Sequence, residues 1–275
     1  MSKNKFSLYE KNVIITGASG GLGKEMVKLL ITKYHCNVIG VARNESKMRA
    51  LCGELGKLSD KFSYRLFDVS DSEKWRELAD ETSAAGFDVD VIINNAGILP
   101  QFTRFGKYSA EDVKAGLDTN LNSVVHSTQA FLPLFEQKDG TAIINISSSD
   151  ALCPLVGTSV YSASKAAVKA LSEAMREEYR GKIYIPVVCP GFIRTDIMKN
   201  QAHNNNGIID MVSMPASKAA KKILKKVNSR RSRIVIGMDA HFMSFAYRLA
   251  PVTSLRFMNF IFRISKLELF SEIYK

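Results

Sequence analysis

The chain has few of the residues that build metal centres and disulfide frameworks. Its 275 residues hold four cysteines and four histidines. Cys36, Cys52, Cys153 and Cys189 are scattered, without close pairing or metal-ligand spacing, which suits reduced thiols in a cytoplasmic setting. His35, His126, His203 and His241 do not cluster, so no metal site is expected. There is no internal repeat. The opening "MSKNKFSLYEKN" has no apolar run, so neither a secretion signal nor an N-terminal anchor is expected. Only the first few residues and "NQAHNNNG" read as disordered. Acids are scarce in one region. From Lys218 onward thirteen Lys and Arg face three acids, which accounts for nearly all of the net +11. No recognition motif accompanies that charge, so no nucleic-acid partner is expected.

What is present is enough for a substantial core. The hydrophobic fraction is 46%, and the length fits one large α/β domain. "NVIIT" (Asn12 to Thr16), "NVIGVA", "FSYRLFDV", "VDVIINNAG", "TAIINIS", "KIYIPVVCP" and "RIVIG" read as strands. Helical patterns alternate with them: "LGKEMVKLLITKY", "NESKMRALCGELGKL", "SDSEKWRELADE", a long helix over much of Glu111 to Phe135, "VYSASKAAVKALSEAMREEY" and "SKAAKKILKKV". This alternation predicts a doubly wound, Rossmann-like parallel sheet covered on both faces. Residues 1–237 would form that domain and 238–275 a helical extension. A polar segment after "GFIRTDI", to about Ser213, reads as a substrate loop or a plain surface loop.

"TGASGGLG" joins the first strand to the first helix. Gly17 permits a tight turn, Gly21 lets a phosphate-bearing ligand approach the backbone, and Gly23 lets helix pack close to strand. With Ser19, Gly20 and Leu22 they present a helix N-terminus to a pyrophosphate. The second strand ends "GVARN", with Ala42 and Arg43 where an acid would bind a ribose hydroxyl. Arginine there favours a 2′-phosphate over solvated exposure. Asp68, followed by Val69, suits either a contact to an adenine amino group or a cap on the next helix. In "YSASK", Tyr161 and Lys165 are one helical turn apart on one face. Such a pair is either surface decoration or an acid tuned by a neighbouring cation.

Taken in order and spacing, "TGASGGLG", "NNAG", Asn120 in "DTNLNS", "INISSS", "YSASK" and "CPGFIRT" resemble the short-chain dehydrogenase/reductase family. The likeness runs from about Asn12 to Ile197. It implies a nicotinamide cofactor, hydride exchange between alcohol and carbonyl, and a catalytic set of Asn120, Ser148, Tyr161 and Lys165. Ser148 is chosen from its serine run because it lies thirteen residues before the tyrosine. Asn95, Ala96 and Gly97 would line the cofactor, while Asn94 would tie the central strands. Pro190, Gly191, Ile193 and Thr195 would flank the nicotinamide, and Tyr161 and Lys165 would also touch the cofactor. NADP(H) is favoured, with NAD(H) as the alternative. Lys165 and the nicotinamide charge would lower the tyrosine from about 10; a fall to about 7 corresponds to about 4 kcal/mol. Asn120 would anchor a water that links the lysine to solvent.

The expected substrate is an apolar ketone or secondary alcohol: a hydroxysteroid, an acyl or lipid ketone, or a small carbonyl. The competing reading is a non-catalytic nucleotide-binding or membrane-associated scaffold. In the tail, Arg248, Arg256 and Arg263 recur every seven or eight residues among Phe, Met and Leu, and Pro251 should break the helix in two. Three arginines and a proline argue against a spanning helix. The segment suits an anionic membrane surface or a subunit contact; the resemblance implies a homodimer or homotetramer.

Overall fold

The structure is a computed structural model and describes residues 6–195, 213–264 and Ile273. The stretch "NQAHNNNG", the first residues, and the polar segment up to Ser213 lie outside the described residues.

Buried apolar runs form the strands. They are β1 (Asn12–Thr16), β2 (Asn37–Ala42), β3 (Phe62–Leu66), β4 (Val91–Asn94), β5 (Thr141–Ile146), β6 (Ile183–Tyr184), β7 (Val187–Pro190), the short pair β8 (Ile193–Arg194) and β9 (Met214–Pro215), and β10 (Arg233–Ile236). The main sheet runs β3-β2-β1-β4-β5-β7-β10, entirely parallel, with β6 beside the start of β5. The strand expected over "KIYIPVVCP" is thus two pieces. Pro186 has no N–H for a continuous ladder, and its carbonyl instead receives the Asn145 N–H at 3.2 Å.

Successive side chains in these strands point to opposite faces, and each face has its own core. Val13, Ile15, Val38, Val91, Ile93, Ala142 and Ile144 pack with helices α1 (Gly21–Tyr34), α2 (Glu45–Leu55) and α7 (Ala216–Asn228). Ile14, Ile39, Val41, Ile92 and Ile143 pack with α3 (Ser72–Ala84), α5 (Ser123–Phe135) and α6 (Ser159–Glu178) around Trp75 and Phe131. Each such aliphatic side chain stabilises the fold by about 1.5–3 kcal/mol. A one-residue register slip in β1 would exchange the two faces, which is why the parallel register is firm.

The long helix expected over Glu111 to Phe135 is interrupted. α4 (Ala110–Leu117), started by a Ser109–Asp112 capping box, passes through a π-turn at Asp118–Asn122 before α5. Asn120 sits in that turn and is fully buried. The tail forms α8 (Met238–Leu249) and α9 (Pro251–Ile264), broken at Pro251 as its ring requires.

Candidate active site

The sheet order reverses between β1 and β4, so the loops leaving their carboxyl ends diverge and open a crevice. A cleft of about 450 Å³ lies there. Along it run Gly17, Ser19, Gly20, Gly21, Leu22 and Arg43, then Asn95, Ala96 and Gly97, then Ser148, Tyr161 and Lys165, then Pro190, Gly191, Ile193 and Thr195. Gly23, Asp68, Val69 and Asn120 are not among its lining residues.

The glycines have steric reasons. Gly17 has φ +66, a conformation that side chains disfavour. A Cβ on Gly23 would overlap the Gly17 carbonyl oxygen and come within 2.7 Å of Asn95 Nδ2. Gly23 therefore closes α1 onto the turn from behind. Gly20 precedes α1 without a side-chain cap, and the helix's first turn has no acid. Its N–H groups and dipole remain available to an anion. This cradle fits the pyrophosphate of a dinucleotide.

At the far end of the crevice Arg43 pairs with Asp68 at 3.2 Å, both well exposed. Asp68 Oδ1 also accepts from the Ser70 N–H at 3.0 Å and hydroxyl at 2.7 Å. The cap on α3 is Asp71, which accepts from the N–H groups of Glu73 and Lys74, so the helix-cap reading of Asp68 is corrected. Val69 is buried, with its carbonyl receiving Trp75 Nε1 at 2.8 Å. Lys47, one turn into α2, lines the same end.

Two buried amides set the middle of the site. Asn94 Nδ2 donates to Asn145 Oδ1 at 2.9 Å and its Oδ1 receives the Ser127 hydroxyl at 2.7 Å, tying β4 to β5 and α5 as expected. Asn120 clamps the next loop: its Oδ1 accepts from the Ile98 N–H at 2.8 Å, and its Nδ2 donates to the Ile98 carbonyl at 2.9 Å and to the Ser164 hydroxyl at 3.1 Å. A Cβ on Gly97 would sit 3.1 Å from Asn120 Oδ1 and 3.2 Å from Lys165 Nζ. Gly97 therefore lies between Asn120 and the lysine, and Asn120 sits behind the cleft without lining it.

α6 brings Tyr161 and Lys165 to the cleft on one face, with Lys165 Nζ 5.9 Å from the phenol ring centroid. Lys165 is buried and donates to the Ile146 carbonyl at 3.1 Å; burial lowers its pKa to about 8. In the chain alone the pKa of Tyr161 is raised, first by burial and then by the Asp150 carboxylate, with the Ser148 hydrogen bond opposing both. Lys165, whose ammonium donates to Ile146, is not among the groups that set this direction.

Asp150 was not anticipated from the sequence. It is buried in the turn after Ser148, lines the cleft, and has a pKa raised to about 6, mainly by burial. Nor were the apolar walls beyond Tyr161, formed by Leu99, Phe102, Leu155 and Phe192. They come from three separate loops, and no spacing rule links them. Cys153 is buried and packs against the tail helices, with Sγ 3.6 Å from Met258 Sδ. No metal-binding cluster occurs among the described residues.

Comparison with known proteins agrees with the geometry. Residues 11–206 match the family model described as short chain dehydrogenase. A ketoacyl reductase of Nostoc sp. is 30% identical over 234 residues, covering 85% of this chain and 80% of its own. An NADPH-dependent pterin aldehyde reductase of Arabidopsis thaliana is 30% identical over 214 residues, covering 78% and 88%. A short chain dehydrogenase of Burkholderia cenocepacia, solved in complex with NADP, superposes with a TM-score of 0.76 at 22% identity, covering 91% of this chain and 99% of its own. The chain belongs to the short chain dehydrogenase family, an oxidoreductase family acting on alcohol and ketone groups.

Proposed function

We propose that this short chain dehydrogenase interconverts an apolar ketone and its secondary alcohol with NADP(H). The observation that carries the reading is one continuous cleft. It joins a pyrophosphate cradle at Gly17–Gly21 to Ser148, Tyr161 and Lys165, and ends in the apolar walls Leu99, Phe102, Leu155 and Phe192. A nicotinamide cofactor held there supplies hydride to a carbonyl carbon, or takes it from an alcohol. Tyr161 donates the phenolic proton to the carbonyl oxygen in reduction and accepts it back in oxidation. Ser148 hydrogen-bonds the same oxygen. Lys165, mostly charged at neutral pH even when lowered to about 8, supplies a positive field and a donor to the cofactor's ribose side. Asn120 acts as a positioning residue that holds the Ile98 loop against the lysine. The NADP preference is supported by Arg43 and Lys47 at the adenosine end and by the absence of an acid at Ala42. NAD(H) remains the weaker alternative.

A cofactor-absorbance assay against a panel of ketosteroids, acyl ketones and diketones tests the activity. Tyr161→Phe should cut turnover by about two orders of magnitude or more and leave NADPH binding intact. A variant within about threefold of the parent would remove the tyrosine's role and favour the non-catalytic reading.

The second part of the proposal concerns α8 and α9. Among the described residues, nine of the thirteen exposed large apolar side chains lie between Met238 and Ile264. Arg248, Arg256 and Arg263 are exposed beside them, and no acid occurs from Ala240 to Ile264. No helix among the described residues is long and apolar enough to cross a membrane. This composition supports docking on an anionic bilayer surface, with the helix pair next to the Leu155 and Phe192 walls of the cleft. Each basic residue near such a surface contributes about 1 kcal/mol. Co-sedimentation with anionic vesicles should fall with salt and disappear on charge reversal of the three arginines. If reversal instead changes only the oligomer mass, the face is a subunit contact.

A further inference from the structure

The turn after β5 carries a carboxylate for which the reaction outlined above has no role. Asp150 is 7% exposed and lines the cleft beside Ser148 and Tyr161. Its Oδ1 accepts from the Ser148 hydroxyl at 3.4 Å and the Ser149 hydroxyl at 3.5 Å, and its Oδ2 accepts from the Thr158 hydroxyl at 3.1 Å. Its own N–H donates to the Ser148 oxygen at 3.1 Å. Thr158 lies 2.9 Å from the Ser162 hydroxyl, which extends the cluster onto α6. These side-chain partners are all hydroxyls, so the buried charge is held by hydrogen bonds alone, two of them long.

The titratable groups nearest it come from α6 and from its own turn, with others further off on β7 and α8. α6 brings Tyr161 and Lys165, and the lysine is committed to the Ile146 carbonyl. The turn itself brings Cys153, pushed up to about 11 by burial and by Asp150. β7 brings Cys189, also raised to about 11 by burial. α8 brings Asp239, whose carboxylate accepts from the Phe192 N–H at 2.7 Å. None of these is a cation free to neutralise Asp150.

We infer that Asp150 is a positioning residue whose protonation sets how Ser148 and Tyr161 share their protons with the substrate oxygen. Ionised, it draws the Ser148 hydroxyl proton toward itself and opposes the Tyr161 phenolate. Protonated, it donates to the Ser148 oxygen and leaves the Ser148 proton to the substrate. The inference rests on the roles proposed above for Ser148 and Tyr161. Two consequences follow in sign. Reduction, which wants a proton-donating Ser148, weakens as pH rises through about 6, where the carboxyl titrates. Oxidation, which wants the phenolate, begins at a higher pH than it would without the carboxylate.

The test is a pair of kcat/KM profiles between about pH 5 and 10, using benzil with NADPH for reduction and benzoin with NADP+ for oxidation. In the parent, reduction should fall by about fivefold across the low-pH step, the worth of one neutral hydrogen bond. Asp150→Asn, a permanent donor toward Ser148, should lack that step and should move the oxidation limb about one pH unit lower. Thr158→Val removes one bond to the carboxylate and should move the low-pH step upward; it keeps the test decisive if Asp150→Asn does not fold. NADPH fluorescence titration checks that each variant is folded. Variants that scale kcat/KM evenly at every pH overturn the inference and leave Asp150 structural. Tyr161→Phe is run alongside. A parent inert on the probe pair, or a fully active Tyr161→Phe, overturns the underlying roles; an inactive Tyr161→Phe with an unshifted Asp150→Asn overturns this inference alone.

Discussion

Replacing Arg43 by alanine tests the cofactor assignment, because the structure separates the two things that side chain does. In the chain alone it is 70% exposed and pairs with Asp68 at 3.2 Å. An exposed pair of that kind is worth about 0–1 kcal/mol, so thermal stability should move by no more than about 2–4 °C. A charge-assisted contact to a 2′-phosphate is worth about 1–3 kcal/mol, or about 5–150-fold in Kd. Arg43→Ala should therefore weaken NADPH by that factor and NADH by less than about threefold, since NADH offers no phosphate at that point. Lys47 lines the same end of the cleft, so the Arg43→Ala, Lys47→Ala pair should lose more than the single change. Asp68→Asn is the control. If Asp68 only restrains Arg43, NADPH binding should hold or tighten; if it meets the adenine amino group, both cofactors should weaken alike. Fluorescence titration at two salt concentrations reads all of these. Equal losses of NADPH and NADH on Arg43→Ala would refute the phosphate reading.

Two further predictions concern stability. Gly23→Ala places a methyl into the Gly17 carbonyl, which is backbone and cannot rotate away; it should cost about 3 kcal/mol, lower Tm by about 6–10 °C and weaken both cofactors, as differential scanning fluorimetry and titration would show. Asp150 has its folded pKa raised from the ordinary 3.8 to about 6, so the folded state binds more protons between those values and stability falls as pH rises through that window. The difference corresponds to up to about 3 kcal/mol, so Asp150→Asn should melt up to about 6–10 °C above the parent at pH 7.5 and match it near pH 4; no difference at pH 7.5 would mean the carboxylate is better solvated than its burial indicates.

How far the site was legible depended on whether a residue's role is local in sequence. Gly17, Gly21 and Gly23 serve a turn eight residues long, so their spacing alone announces it. Tyr161 and Lys165 share a helix face, and the four-residue interval states that directly. The strands were legible because a fully buried parallel sheet needs unbroken runs such as "VIIN" in β4. Where sequence reading failed, a third party intervened. The helix expected through Asp118–Asn122 is continuous in propensity, but Asn120 must turn its amide to Ile98 and Ser164, and the π-turn is the backbone's accommodation to those bonds. The capping role went to Asp71 and not Asp68 because the chain needs a full turn to leave β3 before α3 can begin. Tyr161 shows the limit most sharply. Its interval to Lys165 says nothing about burial, and burial together with Asp150 decides the direction of its shift in the chain alone. Asp150 itself, between serines and an alanine, looks like any loop acid. Only the packing of Thr158 and Ser162 against it reveals a carboxylate taken out of water beside the reacting oxygen. A carboxylate that is so buried and has only hydroxyls for partners destabilises the fold at neutral pH, and it would hold its place there through what it does to Ser148 and Tyr161.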